Sequence, residues 1–110
     1  MVVVSVQLYS KVWHTLFIVI KGDFLCHVYF ADPAEMKFPV MSKAFHHYPD
    51  NTAPAWMAEA NKKLVAADAV VVVSAEYNHS IPPALSNMMD HFPLSSYAFK
   101  PSAIVCYSMG

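Results

Sequence analysis

Glycine is nearly missing from this chain: its 110 residues include two, Gly22 and Gly110. Folds that cradle a phosphate where a strand turns into a helix use glycine there, so that backbone N–H groups can approach the anion. No glycine-bearing phosphate loop of any standard form is therefore present. Charge is sparse as well, at 14% of residues with a formal net charge of −1. There is no basic patch or stripe. Lys62-Lys63 is the one adjacent basic pair, and such a pair decorates a solvated helix face, so no nucleic-acid binding is expected. The two cysteines, Cys26 and Cys106, lie far apart with neither C-x-x-C nor metal spacing. That usage predicts a reduced, intracellular chain with both thiols buried and inert in apolar, strand-like surroundings. The apolar run over residues 16–20 is far short of the roughly 20 residues that span a bilayer. Lys11, His14 and Lys21 interrupt the wider stretch, and no basic segment precedes it as in a signal peptide. The expectation is a soluble, cytoplasmic chain with no membrane contact.

What is present points to one small α/β domain over residues 1–110. Hydrophobic residues make up 56% of the chain, which argues against disorder and allows one core. The most informative stretch is 69–90, AVVVVSAEYNHSIPPALSNMMD. Its opening β-branched run reads as a strand buried on both faces, as at the centre of a parallel sheet. The polar residues Glu76-Tyr77-Asn78-His79-Ser80 follow, then Pro82-Pro83 and a helical pattern of Leu85, Met88, Met89 and Phe92. Ser80 is the expected N-cap of that helix. In open α/β sheets, ligands bind in the loop at the carboxyl end of such a strand.

The remaining elements are read from periodicity. Residues 1–8 suggest a first strand around Val2-Val3-Val4, and residues 24–30 a second strand, FLCHVYF, with His27 as a structural or edge-facing residue. Residues 11–20 stand where a first helix is needed, yet 16–20 is apolar all round and β-branched, which suits a strand. Residues 1–23 therefore form a divergent N-terminal segment. Asp32, Pro33 and Pro39 punctuate loops. His46-His47 lie in a polar loop; adjacent side chains diverge and no third ligand follows, so no metal site is expected. Asn51 or Thr52 should cap a helix with Pro54 in its first turn. Its core stripe is Trp56, Ala60 and Leu64 with Ala53, Met57 and Ala67, and Glu59 can pair with Lys63 on its surface. Residues 93–100 read as a loop and 102–107, SAIVCY, as a further buried strand.

Glu76-Tyr77-Asn78, followed by Ser80, Pro82, Leu85, Asn87 and Asp90, resembles the PEYNxSxPxxLKNxxD signature of the NAD(P)H-dependent FMN reductases. These are flavodoxin-like flavoproteins that reduce quinones, azo dyes or metal ions. Ala75 stands where the signature has proline, and Ser86 where it has lysine. The likeness extends over roughly residues 24–110. It implies a flavodoxin-like fold, a doubly wound parallel sheet in three αβα layers, truncated here after the fourth strand. It also implies FMN as cofactor, NAD(P)H as substrate, a quinone-like or other small-molecule electron acceptor, and a homo-oligomer.

By that resemblance Glu76, Tyr77 and Asn78 would line the flavin ring, with His79 beside them facing solvent and Tyr107 and Ser108 on the next loop. Asn78 has a second reading, as the residue of an Asx-type turn. No catalytic side chain is implied, because the flavin carries the hydride chemistry. The loop of His46, His47 and Tyr48 would border the site or a subunit contact. The family's first strand ends in a GSxR phosphate loop; here the matching residues are Ser5 to Gln7, without the glycine or the arginine. The expectation is that FMN binds weakly or not at all. An alternative function is then a non-catalytic, truncated flavodoxin-like chain that acts by associating with a full-length relative.

Overall fold

Three residues separate the first two strands of the sheet, and a connection that short can only reverse the chain. In the computed structural model, which describes residues 16–22 and 26–108, β1 (Leu16–Gly22) and β2 (Cys26–Ala31) accordingly pair antiparallel, with Val19 opposite Tyr29 and Gly22 opposite Cys26. A short helix α1 (Pro33–Met36) follows, its first turn capped by the Asp32 carboxylate, which accepts from the Ala34 N–H at 2.8 Å. The chain then runs through a 3₁₀ turn (Phe45–His47) into helix α2 (Ala55–Ala66), and from there into strand β3 (Ala69–Ala75). Helix α3 (Pro83–Asp90) and the short α4 (Leu94–Tyr97) carry it over to strand β4 (Ser102–Tyr107).

The sheet order is β2-β1-β3-β4. β3 and β4 are parallel, Val72 facing Ile104, as a strand–helix–strand crossover requires. β1 is antiparallel to β3 on the other side, Phe17 facing Val72. The expected all-parallel, doubly wound sheet is thus corrected to a mixed one. The spatial order matches the first four places of a flavodoxin-like sheet, but the strand beside β3 runs backwards. The cause is local: residues 16–20 do form a strand, and the short link to β2 fixes its direction. The proposed strand over residues 1–8 lies outside the described residues.

Helices α2 and α3 cover the sheet face that carries Val70 and Val72. Met57, Leu64, Ala67, Val70, Leu85, Met88 and Phe92 form the buried core there, and burying each large aliphatic side chain is worth about 1.5–3 kcal/mol. Trp56 is not part of it. The helix phase buries Met57 and leaves Trp56 39% exposed, which corrects the expected stripe. Among the described residues no second helical layer is seen on the opposite face. The helix caps differ from expectation too. Pro54 and Pro82 occupy the N-cap positions of α2 and α3 without side-chain capping bonds, and Thr52 Oγ1 turns back to donate to Pro49 O at 2.7 Å. At the far end of α2, Lys100 Nζ donates to Val65 O at 2.8 Å and Ala67 O at 2.7 Å, satisfying carbonyls that a helix terminus leaves open.

Candidate functional site

The carboxyl end of β3 opens into a tight reversal. Ser74 and Ala75 are buried, and the Ser74 hydroxyl donates to Ala75 O at 2.9 Å. The next residue, Glu76, donates its N–H to Tyr107 O at 2.9 Å, so the root of the turn is tied to the end of β4. Tyr77 and Ser80 then exchange two backbone hydrogen bonds of 2.9 and 3.0 Å. Between them Asn78 (φ 51°) and His79 (φ 60°) both take the left-handed conformation, the pair of positive φ values that defines a type I′ turn. Asn tolerates that region better than most residues, which gives Asn78 a structural reason to be there.

Ser80 is committed to this turn rather than to capping α3. Ile81 and Pro82 remain extended, and Pro83 begins the helix, where its missing N–H costs nothing.

The turn walls a shallow cleft of about 370 Å³ lined by Ser74, Ala75, Glu76, His79, Ser80 and Cys106. Of the six residues predicted for a site, Glu76 and His79 line it directly. His79 Nδ1 lies 3.2 Å from Glu76 Oε1, with the His79 side chain 98% exposed, so water weakens that pair strongly. Tyr77 is half-exposed and lies near Tyr107. The Tyr107 phenol is held above the ordinary tyrosine range by its burial and then by Tyr77. Asn78 stands exposed at the tip of the turn, and Ser108 is exposed just beyond β4. The two loops named from the sequence are therefore neighbours at one end of the β3–β4 pair.

Ser74 and Cys106 are cleft residues that sequence reading missed. The alternation of β3 could have pointed to Ser74. Cys106 is exposed, against the expected buried thiol, because among the described residues β4 has a strand neighbour on one side alone.

The chemistry on offer is that of a flat ring's edge: a carboxylate, an imidazole, two hydroxyls and backbone amides, flanked by two tyrosine faces. Provision for a phosphate is poorer. His79 is the one cleft-lining residue that can carry positive charge. The reversed β1 ends at Gly22, on the opposite side of the sheet, where its N–H donates to Asp68 Oδ2 at 2.7 Å. No strand-to-helix turn follows β1 beside the cleft, and residues 5–7 lie outside the described residues. Among the described residues, those of the cleft are chemically suited to the edge of a flavin ring, and no lysine or arginine lines it to meet the phosphate.

No helix among the described residues is long and apolar enough to cross a membrane. Comparison with curated proteins and with solved structures finds no match in either. The sequence profile described as NADPH-dependent FMN reductase matches residues 14–110, which takes in every strand and helix described above, and the chain belongs to that family.

Proposed function

We propose that the turn over residues 76–80 and the end of β4 border the ring of FMN, and that the chain passes electrons from NADPH or NADH through it to a quinone-like or other small acceptor. The observation that carries this reading is the Glu76 N–H to Tyr107 O hydrogen bond, which holds the two ring-contacting loops side by side at the carboxyl end of parallel strands. When bound, FMN supplies the hydride chemistry. The chain's own residues position it. Tyr77 and Tyr107 offer faces and hydroxyls, the Glu76–Ser80 backbone offers donors and acceptors to the ring edge, and Asn78 and Ser108 complete the rim. His79, paired with Glu76, closes the outer side of the cleft. No side chain has to act as acid or base in this scheme.

The family membership supports FMN and NADPH as the cofactor and reductant, and the sheet order supports a flavodoxin-like parentage. The experiment is a titration of FMN followed by fluorescence quenching, with NADPH oxidation measured on the same sample in the presence of a quinone. Quenching that is lost in Tyr77→Ala supports the reading. Quenching untouched by Tyr77→Ala, or NADPH oxidation without flavin, overturns it.

A second reading is favoured by β4, whose Ile104 and Val105 are 70% and 51% exposed. Open strand edges recruit other strands, so the chain could act by pairing this edge with a relative or with itself, a homo-oligomer in the latter case. Sedimentation separates the two: a yellow, active species favours turnover, and a colourless mixed dimer favours association.

A further inference from the structure

A second cavity lies on the helix-covered side of the sheet, between β2 and helices α1 to α4. It measures about 460 Å³ and shares no lining residue with the cleft at the β3 turn. Its walls are largely aromatic. Phe38 stands edge-on to Trp56, ring centroids 5.3 Å apart at 89°, and edge-on to Phe92 at 6.4 Å and 86°. Tyr29, Met88 and Tyr97 also line it, with Val28 on the strand side and Ala60 on α2. Protein interiors hold few voids larger than a water molecule, and walls without polar partners give water little reason to enter. The volume falls within the range of roughly 300–1,000 Å³ typical of small-molecule sites. The cavity is also reachable, since Tyr29 is 41% and Trp56 39% exposed.

Charge occurs at the rim alone. Lys63 Nζ sits 5.5 Å from the centre of the Tyr29 ring and 3.4 Å from Glu59 Oε1. Glu59 is the more exposed of that pair, at 66% against 45%, so the ammonium, seated over an aromatic face, is the better-placed charge at the opening. We propose that this cavity binds a flat, apolar small molecule bearing one anionic group, its body between the aromatic rings and its anion against Lys63. The site is separate from the one proposed for FMN, and its occupancy does not depend on flavin binding.

The probe is 8-anilinonaphthalene-1-sulfonate, titrated into the folded chain and followed by its fluorescence. One saturable site is expected, with an affinity that Ala60→Phe, which fills the cavity, lowers by about tenfold or more through steric clash. Lys63→Met should weaken the sulfonate several-fold and leave the uncharged N-phenyl-1-naphthylamine unchanged. A cooperative thermal melt certifies each variant; if Ala60→Phe fails it, Val28→Phe fills the same space from the strand side. Binding undiminished in a cooperatively folded, cavity-filled variant overturns the proposal, as does competitive displacement of the dye by FMN.

Discussion

The side-chain carbonyl of Asn87 accepts the backbone N–H of Met41 at 2.7 Å. Its amide nitrogen donates in turn to Pro39 O at 2.9 Å, so one side chain on α3 holds the loop after α1 as a paired strand would. One turn on, His91 is buried, its Nδ1–H facing Asn87 O at 2.7 Å, and its own carbonyl accepts from Phe45 N–H at 2.8 Å. The loop that carries His46, His47 and Tyr48 is thereby pinned to the helix leading out of the candidate site. Asn87→Ala should cost about 1–2 kcal/mol, two hydrogen bonds with one partner each left behind. That corresponds to a melting temperature lower by roughly 4–12 °C. Asn87→Asp keeps the acceptor and loses the donor, and should fall between the two. Thermal melts by circular dichroism check the order.

His79 occupies φ 60°, a region that costs a residue with a Cβ about 1–2 kcal/mol. Its contact with Glu76 is solvent-exposed and contributes little. His79→Gly should therefore raise stability by about 0.5–1 kcal/mol once the extra freedom of glycine in the unfolded chain is set against the relieved strain. His79→Val should lower it by about 1–3 kcal/mol. Urea midpoints that move in opposite directions at a constant m-value confirm this; midpoints that move together contradict the positive-φ turn.

Lys100 reaches back to two carbonyls at the end of α2, those of Val65 and Ala67. A cation there also opposes the negative end of the helix dipole. Lys100→Met keeps the aliphatic stem and removes the charge, and should destabilise the fold by about 1–2 kcal/mol after discounting for partial exposure. Equilibrium unfolding in urea measures it. A loss below the noise would mean that water replaces the ammonium without cost.

These elements differ in how far they can be read from residues alone. The valine run, the following turn and the position of the strand over residues 102–107 are legible because composition and punctuation agree at each end; that last strand is nevertheless largely exposed, where its apolar pattern reads as buried. The loop over residues 76–80 is legible for the same reason, and the family signature falls on it. Strand direction is not legible from an apolar run, since residues 16–20 would read the same in either sense. It was nevertheless implicit in the short link between Gly22 and Cys26, a feature of spacing that the likeness to an all-parallel family obscures. Trp56 and Met57 are adjacent and both apolar, so periodicity leaves the phase of α2 loose by one residue, and packing against Leu85 and Met88 settles it. Ser80 meets the rules for a helix cap and those for a turn equally well; the positive φ values at Asn78 and His79 decide between them. The clamp made by Asn87 links residues more than 40 positions apart, which no local pattern encodes.

Alkaline pH should destabilise the fold through Tyr97. Its phenol is pushed well above the ordinary tyrosine value by burial and then by the Asp90 carboxylate, and it donates to Met89 O at 3.1 Å. Above about pH 10 the unfolded chain releases this proton while the folded chain retains it, so the folded state binds more protons and stability falls as pH rises. The contribution is complete below pH 10 and is lost as pH climbs toward the folded value. Tyr97→Phe should start about 1 kcal/mol less stable at pH 7, for the lost hydrogen bond, and show a flatter profile between pH 10 and 12. Urea unfolding across that range tests it, and parallel profiles for the two proteins would refute the assignment to Tyr97.

The direction of β1 has its own consequence for flavin recognition. A charge-assisted hydrogen bond to phosphate contributes about 1.5–3 kcal/mol, so a phosphate loop with even one such donor favours FMN over riboflavin about tenfold or more. Beside the cleft of this chain the neighbouring strand runs the wrong way to supply that loop, and no lysine or arginine lines the cleft wall. FMN and riboflavin should therefore bind with Kd values within about threefold of each other at pH 8. Fluorescence titrations of both flavins at that pH decide the matter. A preference for FMN of tenfold or more at pH 8 would require a phosphate site built from residues other than those of the cleft.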